Sequence, residues 1–382
     1  MAITPRDRVV YALEGQAVYP CPRMEHGVDS RIIEEAYGIG LNPLTDGDPH
    51  SFNRHLQMIE REIEINQQTG RCNIEIPYHY TMAPRIRAGG SNHGLLTDWG
   101  SLKTLRLALV ELSARHWDNL KRLIDKKRDY AVGACISTGI GHIWQTMELM
   151  AFSIAAHDDP RLLRAILEIY TSWTCRVISV CNHIGVDFFW AFDDFAFKTG
   201  PIYSPQLLRE VVMPYARAVA AEMKLPWVFH SDGNFMAVLD DIVSLGMNAL
   251  NPLEPGCMDV DYLTQHYPNL VLIGGIDIDV LARGTPDEVR AMTRACFRTM
   301  NPNGKYAPSS CNSIARFAKP ENVRAMFDEI AECGKCQPRA GSSSPPGGRV
   351  KWSLASVPGF SVTSPSRAWL AKWPRWATMG SS

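Results

Sequence analysis

Residues 226–235 read PWVFHSDGNF, an apolar run that ends on His230 and, two residues later, Asp232. A second run, YAPSSC, ends on Cys311. Imidazole, carboxylate and thiolate are all zinc ligands, and three protein ligands leave one position open for a substrate. A bound zinc ion would keep Cys311 as thiolate and would acidify a coordinated thiol or water. The two residues of an i, i+2 pair at a strand end converge on one point, and Cys311 would arrive from another strand. The same residues also have a structural reading: a hydrogen-bonded core histidine, an Asx turn before Gly233 and a small buried hydrophobe.

Other apolar runs end on groups that move protons or bind ligands: Tyr78 and His79, Ser137 and Thr138, Asp193 and Asp194, Glu254, and Asp277. Adjacent strand residues face opposite ways. One of Asp193 and Asp194 is therefore expected in the site, as base, metal ligand or substrate contact, and the other bracing a loop. A cap for the following loop is the alternative for the pair. Glu254 and Asp277 are further candidates for catalytic carboxylates. Cys333 and Cys336 form a lone CxxC, without the two further ligands that a structural zinc site needs. Met147 and Met150 read as packing residues.

The elements that would carry these residues alternate. Apolar runs at 72–78, 131–136, 186–192, 226–229, 248–253, 270–276 and 306–311 read as strands, and a weaker run at 18–24 would make eight. Between them lie helical patterns. Thr4-Pro5, Asp159-Pro160, Ser204-Pro205 and Thr285-Pro286 each place a capping residue before a proline at the first helical position. Thr285 and Glu288 also fit a capping box. Strands alternating with helices predict a parallel sheet covered on both faces, and eight units predict a (β/α)8 TIM barrel, whose chemistry sits at the C-terminal strand ends. An open doubly wound sheet is the alternative. No GxGxxG follows the first strand, which weakens a dinucleotide-binding version of it.

Residues 1–335 are expected to form the barrel, and 336–382 a separate Ser/Pro/Gly/Trp-rich tail. The tail holds no acidic residue and four tryptophans, without periodicity. It reads as disordered or as a non-native C-terminus, with tryptophan-mediated docking on a partner as a further reading. Without its six basic residues the chain carries 33 basic and 40 acidic residues, so the body is mildly acidic. That gives no electrostatic reason to expect nucleic acid or an anionic membrane as partner. The N-terminus has no apolar segment of a secretory signal, and no run of about 18 apolar residues would span a membrane. The ten scattered cysteines suit reduced thiols and a cytoplasmic location.

Four segments, in order, resemble the uroporphyrinogen decarboxylase superfamily: TPRDRVVYALEGQAVYPCPR, AFDDFAFKTGPIYSPQLLREVVMPY, LIGGIDIDVLARGTPDEV and AKPENVRAMFDEI. The resemblance spans about residues 3–333 and implies a TIM barrel. True uroporphyrinogen decarboxylases carry an RQAGRY-type segment after the first strand and an Asp at the end of the second. Here the matching stretches are CPRMEHGVDS and IEIPYHYTM, with Arg23 as the surviving counterpart. The other branch comprises zinc- and corrinoid-linked methyltransferases, which bind zinc through His-x-Cys plus a distant Cys. His230 and Cys311 match two of these ligands, and Asp232 stands at the third. The resemblance therefore implies a zinc-dependent methyltransferase that moves a methyl group between a corrinoid (cobalamin), either as a cofactor or carried by a partner protein, and a small-molecule donor or thiol acceptor. Arg23, Tyr78 and His79 would contact substrate, and a homodimer is left open. The alternatives are a metal-free decarboxylase, in which Arg23 holds a carboxylate and Asp193 or Asp194 holds pyrrole N–H groups, and a non-catalytic corrinoid- or porphyrin-binding barrel. Elemental analysis separates the first reading from the other two.

Overall fold

The computed structural model describes residues 3–82, 96, 98–102, 105, 112–147 and 149–335; the tail at 336–382 lies outside them. Seven parallel strands follow one another in a single curled sheet: β1 (Asn73–Glu75), β2 (Ala131–Ile136), β3 (Phe188–Phe192), β4 (Trp227–His230), β5 (Ala249–Asn251), β6 (Val271–Ile276) and β7 (Tyr306–Ser310). Their neighbours pair in chain order, so every C-terminal end opens on the same side. These strands are the seven firm apolar runs of the sequence.

The eighth position differs from expectation. No strand forms at 18–24; the gap between β7 and β1 is filled by the irregular segment 23–28. Cys72 N donates to Arg23 O (2.9 Å), and Val28 forms a parallel bridge with Ile314. Side chains complete the seam. Glu25 N donates to Asn73 Oδ1 (3.1 Å) and Asn73 Nδ2 to Glu25 O (3.0 Å), while the Glu25 carboxylate accepts from Ser310 N (2.8 Å) and Ser310 Oγ (2.6 Å). Polar side chains replace ladder bonds here, so an apolar run could not mark the element. Burial raises the Glu25 pKa to about 7 against those hydrogen bonds.

Alternate strand residues divide between two cores. Phe188 and Trp190 point inward with Val228, Ala249, Val271, Ile273 and Ala307, and Val9 and Leu13 of the helix Pro5–Leu13 pack among them. Phe189 and Ala191 point outward to the helical shell. All four proline-led helix starts occur, at Pro5, Pro160, Pro205 and Pro286, and Thr285 with Glu288 forms the expected capping box. No helix among the described residues is long and apolar enough to cross a membrane.

Candidate active site at the barrel mouth

β4 delivers His230 to the rim. Its Nδ1 lies 2.6 Å from Asn251 Oδ1 on the neighbouring strand, where the two residues are register partners. Asn251 turns its own amide nitrogen toward Ile273 O (3.5 Å), so the oxygen faces the imidazole. Nδ1 therefore carries the proton and Nε2 keeps a lone pair. Burial, with His26 adding to it, lowers the His230 pKa to about 4.

Nε2 faces Asp232 Oδ1 at 3.7 Å. Asp194 completes the group, and one ligand atom from each of Asp194, His230 and Asp232 lies within 4.8 Å of the others. Asp232 N donates to Asp194 Oδ1 (3.2 Å), which ties the two loops together. Asp232 Oδ1 is buried without a hydrogen-bond partner. Burial, then the charges of Asp194 and Glu254, raise the Asp232 pKa to about 7. An orphaned carboxylate oxygen, a free imidazole lone pair and a second carboxylate at this spacing fit a divalent cation.

Backbone geometry permits the turn after β4. Gly233 has φ +82°, and a Cβ there would lie 2.6 Å from the carbonyl oxygens of Ala196 and Phe197. Those carbonyls belong to a short antiparallel hairpin, Ala196–Phe197 with Gly200–Pro201, that covers the turn. A side chain at 233 would push the hairpin away from Asp232.

The neighbouring aspartates separate as expected. Asp193 is buried and accepts from Ser137 Oγ (2.7 Å), Thr138 N (2.6 Å) and Gly141 N (2.8 Å), so it braces the loop after β2. Burial lifts its pKa to about 6 against these bonds. Asp194 is the member that meets His230. Glu254 lies beside the group, accepting from Gly233 N (2.8 Å) and pairing with Lys198 (3.6 Å). Asp277 caps the helix Ile278–Arg283 through Asp279 N (2.8 Å).

Two expected residues stand elsewhere. Cys311 does not join the group: its thiol contacts Leu253 O at 3.4 Å, and burial pushes its pKa well up. The next residue turns inward instead, with Asn312 Nδ2 on Asp232 Oδ2 (3.0 Å). Arg23 does not reach the mouth. Its guanidinium binds Thr69 O, at the end of the helix that precedes β1, on the opposite side of the barrel.

The first-strand side supplies residues that the sequence reading passed over. His26 Nδ1 lies 2.8 Å and 3.0 Å from the two oxygens of Glu75, the last residue of β1. Tyr78 Oη is 3.2 Å from His26 Nε2. The His26 ring lies 5.8 Å from that of His230 and 4.3 Å from Phe192, which stacks on Trp190 (5.9 Å, 14°) to floor the mouth. His79 instead packs against His55, 4.2 Å between rings. His26, Glu75, Asn251 and Asn312 carry no motif; a polar residue closing or following an apolar run was the available signal.

The uroporphyrinogen decarboxylase (URO-D) family profile matches residues 142–333, just over half of the chain. The chain belongs to the URO-D family. The match includes Asp194, His230, Asp232 and Cys311, so the mouth is built largely from the URO-D portion. Among solved structures, a methyltransferase from Methanosarcina mazei superposes with a TM-score of 0.64 at 16% identity, covering 87% of this chain and 99% of that one. A putative vitamin-B12 independent methionine synthase from Listeria monocytogenes superposes with a TM-score of 0.52 at 10% identity, covering 83% and 96%. At these identities the likeness extends to the barrel fold. No curated protein sequence matches. In this URO-D barrel the two carboxylates and the imidazole sit at the C-terminal strand ends, where the fold carries its chemistry.

Proposed function

We propose that this URO-D family protein is a metal-dependent methyltransferase that moves a methyl group between a corrinoid, supplied by a partner protein, and a small molecule. One observation carries the reading: Asp194, His230 and Asp232 converge at the mouth with a buried, unpartnered carboxylate oxygen facing an imidazole lone pair. Zinc is the expected ion. Bound there, it would supply Lewis acidity at the heteroatom that gains or loses the methyl group. The barrel likeness to the Methanosarcina mazei methyltransferase supports the same reading.

The chain's own residues prepare the site. Asn251 fixes the tautomer that leaves Nε2 of His230 available. Asn312 holds Asp232 through the oxygen that does not face His230. Phe192, backed by the buried Trp190, gives the apolar floor that a flat corrin ring or an apolar substrate would rest on. His26 and Tyr78 offer hydrogen bonds beside it.

The decarboxylase alternative loses support on two counts. Arg23 lies at the other end of the barrel. The described rim also carries the carboxyl groups of Glu75, Asp194, Asp232, Glu254 and Asp277, and its cationic groups His26 and Lys198 are already paired with Glu75 and Glu254. Such a rim offers little to hold a substrate that bears several carboxylates.

The test is a direct comparison. Zinc-loaded protein is mixed with a reduced, Co(I) corrinoid and a panel of methyl ethers, thioethers and methylamines, and with methylcobalamin and thiols. Methyl transfer followed in the visible spectrum is expected, and it should be lost in His230→Ala. Release of carbon dioxide from uroporphyrinogen, with no methyl transfer, would replace this reading with the decarboxylase.

A further inference from the structure

We infer that the cation site of this barrel is built from His230, Asp232 and Asp194 without a thiolate, and that the substrate atom it activates is the oxygen of a methyl ether or alcohol rather than a thiol sulfur. The inference rests on the metal-dependent reading above and names its ligand set and substrate class.

Three observations support it. The convergent donors are one nitrogen and two carboxylate oxygens, within 4.8 Å of one another. The cysteine that would soften the site is not among these converging donors. Cys311 is 2% exposed, its thiol is on Leu253 O, and its backbone N–H is tied to Ile276 O at 2.8 Å in the barrel wall. The residue that follows it, Asn312, is the one that reaches Asp232. Lastly, the wall beside the group is polar. Tyr78 Oη, His26 and Glu75 form a hydrogen-bonded chain there, with the His26 ring 5.8 Å from His230. An oxygen substrate needs such partners when it leaves water, and a thiol needs them far less.

Ligand chemistry links the donors to the substrate. Carboxylate oxygen gives a cation less electron density than thiolate does. The ion stays a harder Lewis acid and favours oxygen over sulfur. In the reaction the C–O bond breaks with both electrons on oxygen, which takes up one proton. The methyl carbon bonds to the electron pair offered by the reduced Co(I) corrinoid.

Cobalt(II) tests the ligand set independently of turnover. Added to metal-free full-length protein, Co2+ is expected to give weak visible bands and no intense near-ultraviolet thiolate charge-transfer band. Cys311→Ser should leave spectrum and affinity unchanged, and Asp194→Ala, which removes a ligand, should weaken binding by more than the about 10–100-fold expected for a residue that only supports one. A charge-transfer band that disappears in Cys311→Ser, or an unchanged affinity in Asp194→Ala, overturns the ligand set. The second arm supplies zinc-loaded protein and Co(I) corrinoid with anisole or thioanisole. Transfer at least about tenfold faster from the ether is expected, and a thioether that matches or exceeds it overturns the oxygen assignment. No transfer from either, or from the wider panel above, removes the methyl-transfer reading and the oxygen substrate with it. The Co2+ spectrum still decides the ligands.

Discussion

Asn312 Nδ2 reaches across the barrel mouth to Asp232 Oδ2 at 3.0 Å, joining the loop after β7 to the loop after β4. Asn251 does the corresponding work for His230 from the neighbouring strand, at 2.6 Å. Each amide orients one proposed ligand without belonging to the donor group. Asn312→Ala and Asn251→Ala should therefore each weaken zinc binding by about 10–100-fold while the fold persists. Isothermal titration of metal-free protein with zinc, beside a circular dichroism spectrum, measures both. Unchanged affinity in both variants would mean that the ligands are held by something else.

Asp193 and Asp194 should exchange effects when each is replaced. Asp193→Ala leaves Ser137 Oγ, Thr138 N and Gly141 N without an acceptor in the interior. It should cost about 3 kcal/mol of stability and leave zinc affinity nearly intact. Asp194→Ala should cost little stability and lose the metal. Urea denaturation with chelator, paired with zinc titration, distinguishes the two. A variant pair that behaves alike, or with the roles reversed, would show that the site is assigned to the wrong aspartate.

The pattern of legibility follows from the forces involved. The strands were readable because inward and outward faces are both buried, which gives continuous apolar runs such as AVGACI and VLIGGI, or an apolar run that closes on polar residues, as in ALN and YAPSS. The eighth wall was not readable, because Glu25, Asn73 and Ser310 close it with side-chain bonds. His230 and Asp232 stand together because both follow one run, whereas Asp193 and Asp194 lie just past β3, which ends at Phe192, so the turn there and not the pleat sends them to different partners. Which of Cys311 and Asn312 turns inward is decided by loop geometry after β7, which spacing does not encode. His26 and Glu75 meet across a sequence separation of 49 residues, a contact that only the closed barrel creates.

A pH dependence follows from Asp232. Burial, then Asp194 and Glu254, raise its pKa in the folded protein to about 7 from 3.8. The folded state thus holds a proton that the unfolded chain releases. This contributes stability that is complete below about pH 4 and lost as pH rises through about 7. His230, lowered to about 4 by burial and by His26, acts in the opposite direction between that value and 6.5, in wild type and variant alike. With chelator present, the Tm of Asp232→Asn relative to wild type should rise by about 2 °C or more between pH 5 and pH 8. Zinc added at pH 8 should reverse that difference, since the wild type alone keeps the full ligand set. A difference that stays flat across this range counts against a carboxyl group held protonated by its surroundings.

His26 and Glu75 meet at the edge of the mouth. The imidazole Nδ1 sits against both carboxylate oxygens, at 2.8 Å and 3.0 Å. Burial favours neutral His26, but the charges of Glu75, Glu25 and Asp232 and the Glu75 hydrogen bond outweigh it, so its pKa stands above the usual 6.5. Glu75→Gln removes the largest of these opposing charges and keeps the shape. The His26 midpoint should then fall, because Glu25 and Asp232 alone offset less of the burial. Proton NMR of the imidazole Hε1, assigned by the signal lost in His26→Gln, reads the midpoint directly. A histidine with raised folded pKa contributes stability below about pH 6.5 and loses it as pH rises through the folded value. Wild type should therefore exceed Glu75→Gln in Tm most at acidic pH, with the gap narrowing toward pH 8. A His26 midpoint that does not move in Glu75→Gln would show that the carboxylate is not what holds the proton at the edge of the mouth.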